Sequence, residues 1–160
     1  MTYSQRTHGV LLRRLIEHLD GAVEQAYVNA GLDYRPRFTP ILRALVNHGP
    51  ASLRVLSART GVTHSAVSQT VSQMARRGWV ALEPGVDARE RIVALTPFAT
   101  EQLPLLERCW AATAAAASGV GAGLGPPVAG VLARALDALD RQPFSDRLAA
   151  ASSPRTGADR

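Results

Sequence analysis

The sequence contains a single cysteine, Cys109, so it cannot form an intramolecular disulfide, and no cysteine and histidine cluster indicates a zinc site. Lysine is absent and aromatic residues make up only 5%, so a core must be built mainly from leucine, valine and alanine. No apolar run reaches the roughly 18 residues of a membrane span, and the N-terminus lacks the features of a signal peptide. The cytoplasm is therefore the expected location, with no membrane partner.

Acidic residues are missing from the middle of the chain. Between Tyr34 and Leu82 the sequence has seven arginines and no aspartate or glutamate, so this segment carries +7 and the rest carries −2. A basic block between near-neutral flanks indicates a polyanionic partner such as nucleic acid. Charge alone leaves an incidental clustering of arginines as an open alternative.

The hydrophobic pattern predicts a mainly helical fold with one small β-hairpin. The first helix would be close to 40 Å long, so part of its apolar face is expected to pack against something outside the protomer. Ser52, Thr63 and Thr96 are the predicted N-caps of three later helices, and Gly31 is the predicted C-terminal cap of the first. The predicted elements are helices over residues 5–30, 36–48, 53–60 and 64–77, strands over 80–83 and 92–95, and helices over 97–117, 128–139 and 144–151.

A tight turn between two short helices is predicted at residues 57–67. Ser57 is small enough to let the partner helix cross closely, and Gly61 stands where the chain must turn with a positive φ. Val62 and Val67 would seal the angle between the two helices. Together with the hairpin that follows, this order predicts a winged helix-turn-helix.

The helix over residues 64–77 divides into two faces. Val67, Thr70, Val71 and Met74 form the apolar one. The opposite face has no acid and mostly short hydroxyl side chains, which a helix in the major groove of DNA needs; Gln69 can pair with adenine through two hydrogen bonds. An ordinary solvent-facing surface is the alternative. The predicted DNA contacts here are Thr63, His64, Ser65, Ser68, Gln69, Ser72, Arg76 and Arg77.

The hairpin supplies a charged tip. Arg89 and Arg91 would reach the minor groove or its phosphates, and Asp87 would brace the turn or pair with Arg89. A solvated turn with an incidental charge pair is the alternative reading. We interpret the tip as the wing of the DNA-binding domain because it follows the helix-turn-helix directly.

The segment from Leu56 to Thr96 resembles the MarR family of bacterial transcription regulators. The matching residues are LSARTGVTHSAVSQTVSQMARRGWV, followed by DARERIVALT with the family's spacing at Asp87 and Arg89. Leu82 and Ala99 depart from the family's usual basic residue and glycine, and the first departure weakens one expected phosphate contact. The resemblance implies a repressor that acts as a homodimer through interlocking first and last helices and that is relieved in some members by a small ligand.

The resulting division of the chain has four parts. Residues 1–34 are a dimerisation helix, 35–96 the DNA-binding domain, 97–151 the C-terminal dimerisation helices and 152–160 a disordered tail. The expected partners are a pseudo-palindromic duplex with half-sites about 10 bp apart, a second copy of the chain, and an effector of unknown identity.

Other functions have weaker support. A protein-interaction module without specific DNA binding is the main rival, since winged helices also serve as docking surfaces. No catalytic constellation, metal-ligand spacing or cofactor motif is recognisable, so neither an enzyme, a metal nor a cofactor is expected. Cys109 lies in an apolar helix beside Trp110, which favours packing over a redox role.

Overall fold

The computed structural model describes residues 7–85, 90–123 and 125–152. The predicted mainly helical fold with a small sheet is confirmed. Every predicted element is present to within a few residues, and a 3₁₀ turn, Pro36–Phe38, precedes the second helix. The elements are α1 His8–Asn29, α2 Thr39–His48, β1 Ala51–Ser52, α3 Leu53–Thr60, α4 His64–Arg76, β2 Val80–Pro84, β3 Arg91–Leu95, α5 Pro97–Gly119, α6 Val128–Arg141 and α7 Phe144–Ser152.

The sheet has three antiparallel strands in the order β1-β3-β2, and β1 was not predicted. Its two residues are too few to show an alternating pattern. Ser52 pairs with Ile92 and is only 5% exposed, and its hydroxyl makes no capping bond at the start of α3. Ser52 thus occupies the predicted N-cap position, but the expected side-chain cap is wrong, because pairing with Ile92 buries the residue.

Gly31 ends α1 as predicted. It has a φ of 76°, which glycine adopts without strain. The Gly31 N–H donates to the carbonyl of Val28 and the Leu32 N–H to that of Tyr27, both at 2.9 Å, so the last carbonyls of the helix are satisfied. Leu32 is buried, which attaches the end of α1 rigidly to the core beneath it.

Several aromatic side chains form one cluster at the end of α1. Tyr34 makes edge contacts with Tyr27, Phe38 and Trp79 at centroid distances of 4.8, 5.5 and 4.9 Å. Burial raises the pKa of the Tyr34 hydroxyl above its ordinary range, and this hydroxyl donates to Thr39 Oγ1 at 3.3 Å. The cluster joins α1, α2 and the start of β2, and Trp79 is buried within it.

The chain divides into two compact units between Ala111 and Ala112. The first contains α1, the winged helix and most of α5. In the second, α6 and α7 have no buried residue. No helix among the described residues is long and apolar enough to cross a membrane. The predicted tail falls outside the described residues except for Ser152, which ends α7, and the four-part division remains a prediction.

Candidate nucleic-acid interface

The turn between α3 and α4 is held by side-chain hydrogen bonds. Gly61 has a φ of 68°, as the predicted turn requires. Ser57 Oγ donates to the carbonyl of Val62 at 2.6 Å, and Thr60 Oγ1 accepts from the Val62 N–H at 3.3 Å. Ser57 therefore does more than permit a close approach, because its hydroxyl ties the last turn of α3 to the residue before α4.

The apolar face of α4 anchors the helix in the core. Val67, Val71 and Met74 are buried, and Val67 and Met74 are fully excluded from solvent. Thr63 caps the helix as predicted, because its hydroxyl accepts from the Ala66 N–H at 3.4 Å. This anchoring leaves the opposite face of α4 pointing to solvent.

The outer face of α4 carries no acidic residue. His64, Ser65, Gln69, Ser72 and Arg76 are exposed, as is Thr63 before them, and Ser68 is half-buried. Ser72 Oγ donates to the carbonyl of Ser68 at 2.9 Å, so this hydroxyl is available outward as an acceptor. Within the described part of the chain, the Gln69 amide makes no hydrogen bond and keeps both its donor and its acceptor for a ligand.

The arginines of the basic segment are not equally available. Arg35 pairs with Glu24, and Arg77 Nε contacts both carboxylate oxygens of Asp33 at 3.0 and 2.9 Å. Acids from outside the segment thus offset part of its charge. The arginines without an ion pair among the described residues are Arg37, Arg43, Arg54, Arg59 and Arg76.

Arg77 differs from Arg76 in a way that the sequence did not indicate. Its Nε is engaged by Asp33, and its guanidinium lies 5.8 Å from the centre of the Phe38 ring. Arg76 is exposed and has no ion-pair partner in the described ranges. Both remain predicted DNA contacts, but only Arg76 has a guanidinium that is entirely available to phosphate.

The wing is described in part. β2 and β3 pair from Val80 with Leu95 to Pro84 with Arg91, and the Gly85 N–H donates to the carbonyl of Glu90 at 2.8 Å. Arg91 is exposed at the start of β3. Asp87 and Arg89 lie outside the described residues, so their roles remain sequence predictions.

A basic cleft lies between α2 and α3. It has a volume of about 310 Å³ and no acidic residue in its lining. One lining residue, Thr60, also holds the helix-turn-helix through Val62. Another, Arg43, stacks on the Trp110 ring at 4.6 Å. The lining residues are Pro40, Arg43, Ala44, Asn47, His48, Arg59 and Thr60.

Sequence reasoning missed the residues that fix the C-terminal half of α4. Asp33 accepts from Arg77 through its carboxylate and from the Trp79 indole through its carbonyl at 2.9 Å. Arg37 donates to Gln73 Oε1 on the same helix. The only available signal was that Asp33 is the last acid before the acid-free segment. No cluster of potential metal ligands occurs in residues 7–85, 90–123 and 125–152.

The sequence matches the model of the MarR family over residues 36–90. This range contains the helix-turn-helix, α4 and the first strand of the wing. The winged helix is similar to that of the MarR family of transcription regulators. Members of the family are transcription regulators and not enzymes. No curated protein matches the sequence closely enough to count as a relative.

Solved structures share the fold of this chain. The regulator MOSR of M. tuberculosis, in a structure with DNA, is 23% identical, with a TM-score of 0.69 over 87% of this chain and 100% of its own. PcaV of Streptomyces coelicolor, in complex with its natural ligand, is 19% identical, with a TM-score of 0.67 over 89% and 96%. BpsR of Bordetella bronchiseptica is 22% identical, with a TM-score of 0.59 over 88% and 96%.

Proposed function

We propose that this chain is a homodimeric repressor of the MarR type that binds a pseudo-palindromic duplex sequence-specifically. The observation that carries the proposal is the outer face of α4, which is exposed, free of acids and rich in short hydroxyl side chains. A buried apolar face holds the helix in place. A structure of MOSR with DNA supports the same use of the fold here. We keep the cytoplasm as the predicted location.

The exposed residues divide by what they can recognise. Gln69 and the hydroxyls of Ser65 and Ser68 face base edges in the major groove, where an amide pairs with adenine. The arginines provide charge and not sequence readout. The proposed phosphate or minor-groove contacts are Arg76, Arg77, Arg89 and Arg91, with Thr63, His64 and Ser72 beside the groove and Asp87 bracing the wing.

The dimer is supported by apolar residues that the protomer leaves exposed. On α1 these include Leu12, Ile16 and Leu19, which recur at steps of four and three residues and so form one stripe. On α6 they are Val131, Leu132, Leu136 and Leu139. We infer that a second copy of the chain covers these apolar residues, because a two-fold dimer also presents two α4 helices to two half-sites about 10 bp apart.

Arg76 provides the test of DNA binding itself. We expect Arg76→Gln to weaken binding to specific and random duplexes alike and to lower the slope of log Kd against log salt by about one unit, since one phosphate contact releases about one counterion. Gel-shift titration at several salt concentrations measures both quantities. The matched control is Arg108→Gln, an exposed arginine on α5.

The same titration separates the proposal from its rival. A protein-interaction module would show neither duplex binding nor a steep salt dependence. An unchanged slope in Arg76→Gln would remove Arg76 from the interface. Selection of bound sequences from a random duplex pool would then identify the operator and show whether its half-sites are symmetric.

An effector is a second part of the proposal, and the basic cleft between α2 and α3 is its candidate site. Two guanidinium groups, an imidazole, an amide and a hydroxyl surround a volume that suits a small anion. A ligand bound in the cleft would affect the position of α4 through Thr60, because the Thr60 hydroxyl accepts a hydrogen bond from the Val62 N–H in the turn before α4. DNA binding by the similar BpsR is regulated by 6-hydroxynicotinic acid, which supports this class of ligand.

Calorimetric titration tests the cleft. With 6-hydroxynicotinic acid and inorganic phosphate as probes, we expect saturable binding that Arg59→Gln weakens at least about tenfold, since a charge-assisted hydrogen bond of about 1.5–3 kcal/mol is lost. Arg54→Gln is the control, because Arg54 is exposed on α3 but does not line the cleft. Equal losses in the two variants would exclude the cleft as the site.

A further inference from the structure

Asp33 contacts the chain on both sides of Gly78, in the turn between α4 and β2. Its carboxylate oxygens lie 3.0 and 2.9 Å from Arg77 Nε, and its carbonyl oxygen lies 2.9 Å from Trp79 Nε1. One residue therefore contacts both the residue that follows α4 and the residue that precedes β2. The acid-free character of the segment from Tyr34 to Leu82 makes Asp33 the nearest preceding carboxylate in the sequence.

The position of Asp33 is fixed with respect to α1. The Gly31 turn closes the helix two residues earlier, and the buried Leu32 lies between them. Tyr34, the next residue, is fully enclosed by the aromatic cluster. A rotation of α1 would therefore carry Asp33 with it, because no free segment separates the two.

The end of α4 is equally well defined. Gly78 has a φ of 76°, its N–H donates to the carbonyl of Ala75, and the Trp79 N–H donates to that of Met74 at 2.9 Å. This is the same closure as that at the end of α1. Asp33 thus links the C-terminal turn of α1 to the C-terminal turn of α4. The orientation of α4 therefore depends on that of α1.

We infer that Asp33 is a positioning residue that determines which half-site spacing the protein accepts, by fixing the angle between α1 and α4. The inference rests on the proposed dimer, in which α1 contacts the partner. If α1 sets the two-fold axis and Asp33 sets α4 against α1, the distance between the two α4 helices follows from this contact. The duplex must then match that distance.

The exposure of the Asp33–Arg77 ion pair indicates that its main role is to orient α4 and not to stabilise the fold. Asp33 is 71% exposed and Arg77 27% exposed in their side chains, and an exposed ion pair contributes little to the free energy of unfolding. The hydrogen bond from the Trp79 indole N–H to the Asp33 carbonyl remains whatever the side chain at position 33 is. Removing the carboxylate should therefore loosen the orientation of α4 without unfolding the domain.

The test uses the full chain and a series of duplexes in which two half-sites are separated by the best spacing and by one or two base pairs more or fewer. Each added base pair shifts a half-site by about 3.4 Å. We expect the unaltered chain to lose affinity about tenfold for one base pair, a loss similar to that of a base mismatch. Asp33→Ala should lose less than about threefold, while binding to a single half-site stays within about twofold of the unaltered chain.

Two further variants complete the design. Asp33→Asn keeps an acceptor for Arg77 without the charge, so we expect a partial return of the spacing preference. Glu17→Ala removes an exposed carboxylate from α1 outside the apolar stripe and should change nothing. A spacing profile of Asp33→Ala that equals that of the unaltered chain would overturn the inference alone. Absence of any spacing preference in the unaltered chain would overturn the inference and the proposed dimer together.

Discussion

Replacing Ile16 with glutamate is expected to dissociate the dimer and to abolish high-affinity binding to a duplex with two half-sites. Ile16 is 57% exposed in the protomer and belongs to the apolar stripe of α1, so the substitution leaves the core of each protomer intact. In the dimer it would bury an unpaired carboxylate, which costs about 3 kcal/mol or more. Dimerisation should weaken at least about a hundredfold. Sedimentation equilibrium measures the dissociation constant directly.

The control for this experiment lies two residues away. His18→Glu adds the same carboxylate to the same helix, but at about 100° per residue it lies on the opposite side from Ile16. It should remain dimeric and bind the full duplex normally. A dimer that survives Ile16→Glu would show that the stripe on α1 is not the interface, and the exposed apolar face of α6 would have to account for dimerisation alone.

Replacing Gln69 with alanine is expected to remove base recognition and to leave non-specific binding in place. The amide is exposed at the centre of the outer face of α4 and has no partner in the described part of the protein. Losing a two-bond contact with adenine should cost about 1–3 kcal/mol on the preferred duplex, or roughly 5- to 150-fold in affinity. On random-sequence duplexes the affinity should change little, because phosphate contacts dominate there.

Parallel gel-shift titrations on the selected and the random duplex distinguish these outcomes. An equal loss on both would contradict a role of Gln69 in base readout. Gln25→Ala serves as the control, since Gln25 is an exposed glutamine on α1 whose amide donates to Asn29 within the same helix. Its binding to both duplexes should match that of the unaltered protein.

The net charge of the basic segment overstates the number of arginines that are available to contact a duplex. Glu24 and Asp33, both outside the segment, pair with Arg35 and Arg77. Arg37 hydrogen-bonds Gln73 of α4. Fewer arginines are therefore available to a duplex than the segment contains. Arg76 is the one of them that lies on α4. Salt dependence should follow these available arginines and not the net charge of the segment.

Local pattern was enough for most of the candidate interface. Thr63 and Gly61 act at the positions that their side-chain chemistry predicts, since a cap needs a hydroxyl and a positive φ favours glycine. Thr96 likewise caps α5, where it accepts from the Ala99 N–H at 3.1 Å. The two faces of α4 followed from a helical period of 3.6 residues, because packing of Val67, Val71 and Met74 forces the others outward.

The features that the sequence left open depend on contacts between distant residues. β1 forms only because Ala51 and Ser52 pair with Val93 and Ile92, which follow the helix-turn-helix in the chain. The Asp33–Arg77 pair joins residues separated by 44 positions. The sequence by itself therefore determined the helices, the caps at Thr63 and Thr96 and the outer face of α4, since these depend on residues a few positions apart. Only the tertiary structure decided which arginines are neutralised and how α4 is held against α1, because those depend on packing.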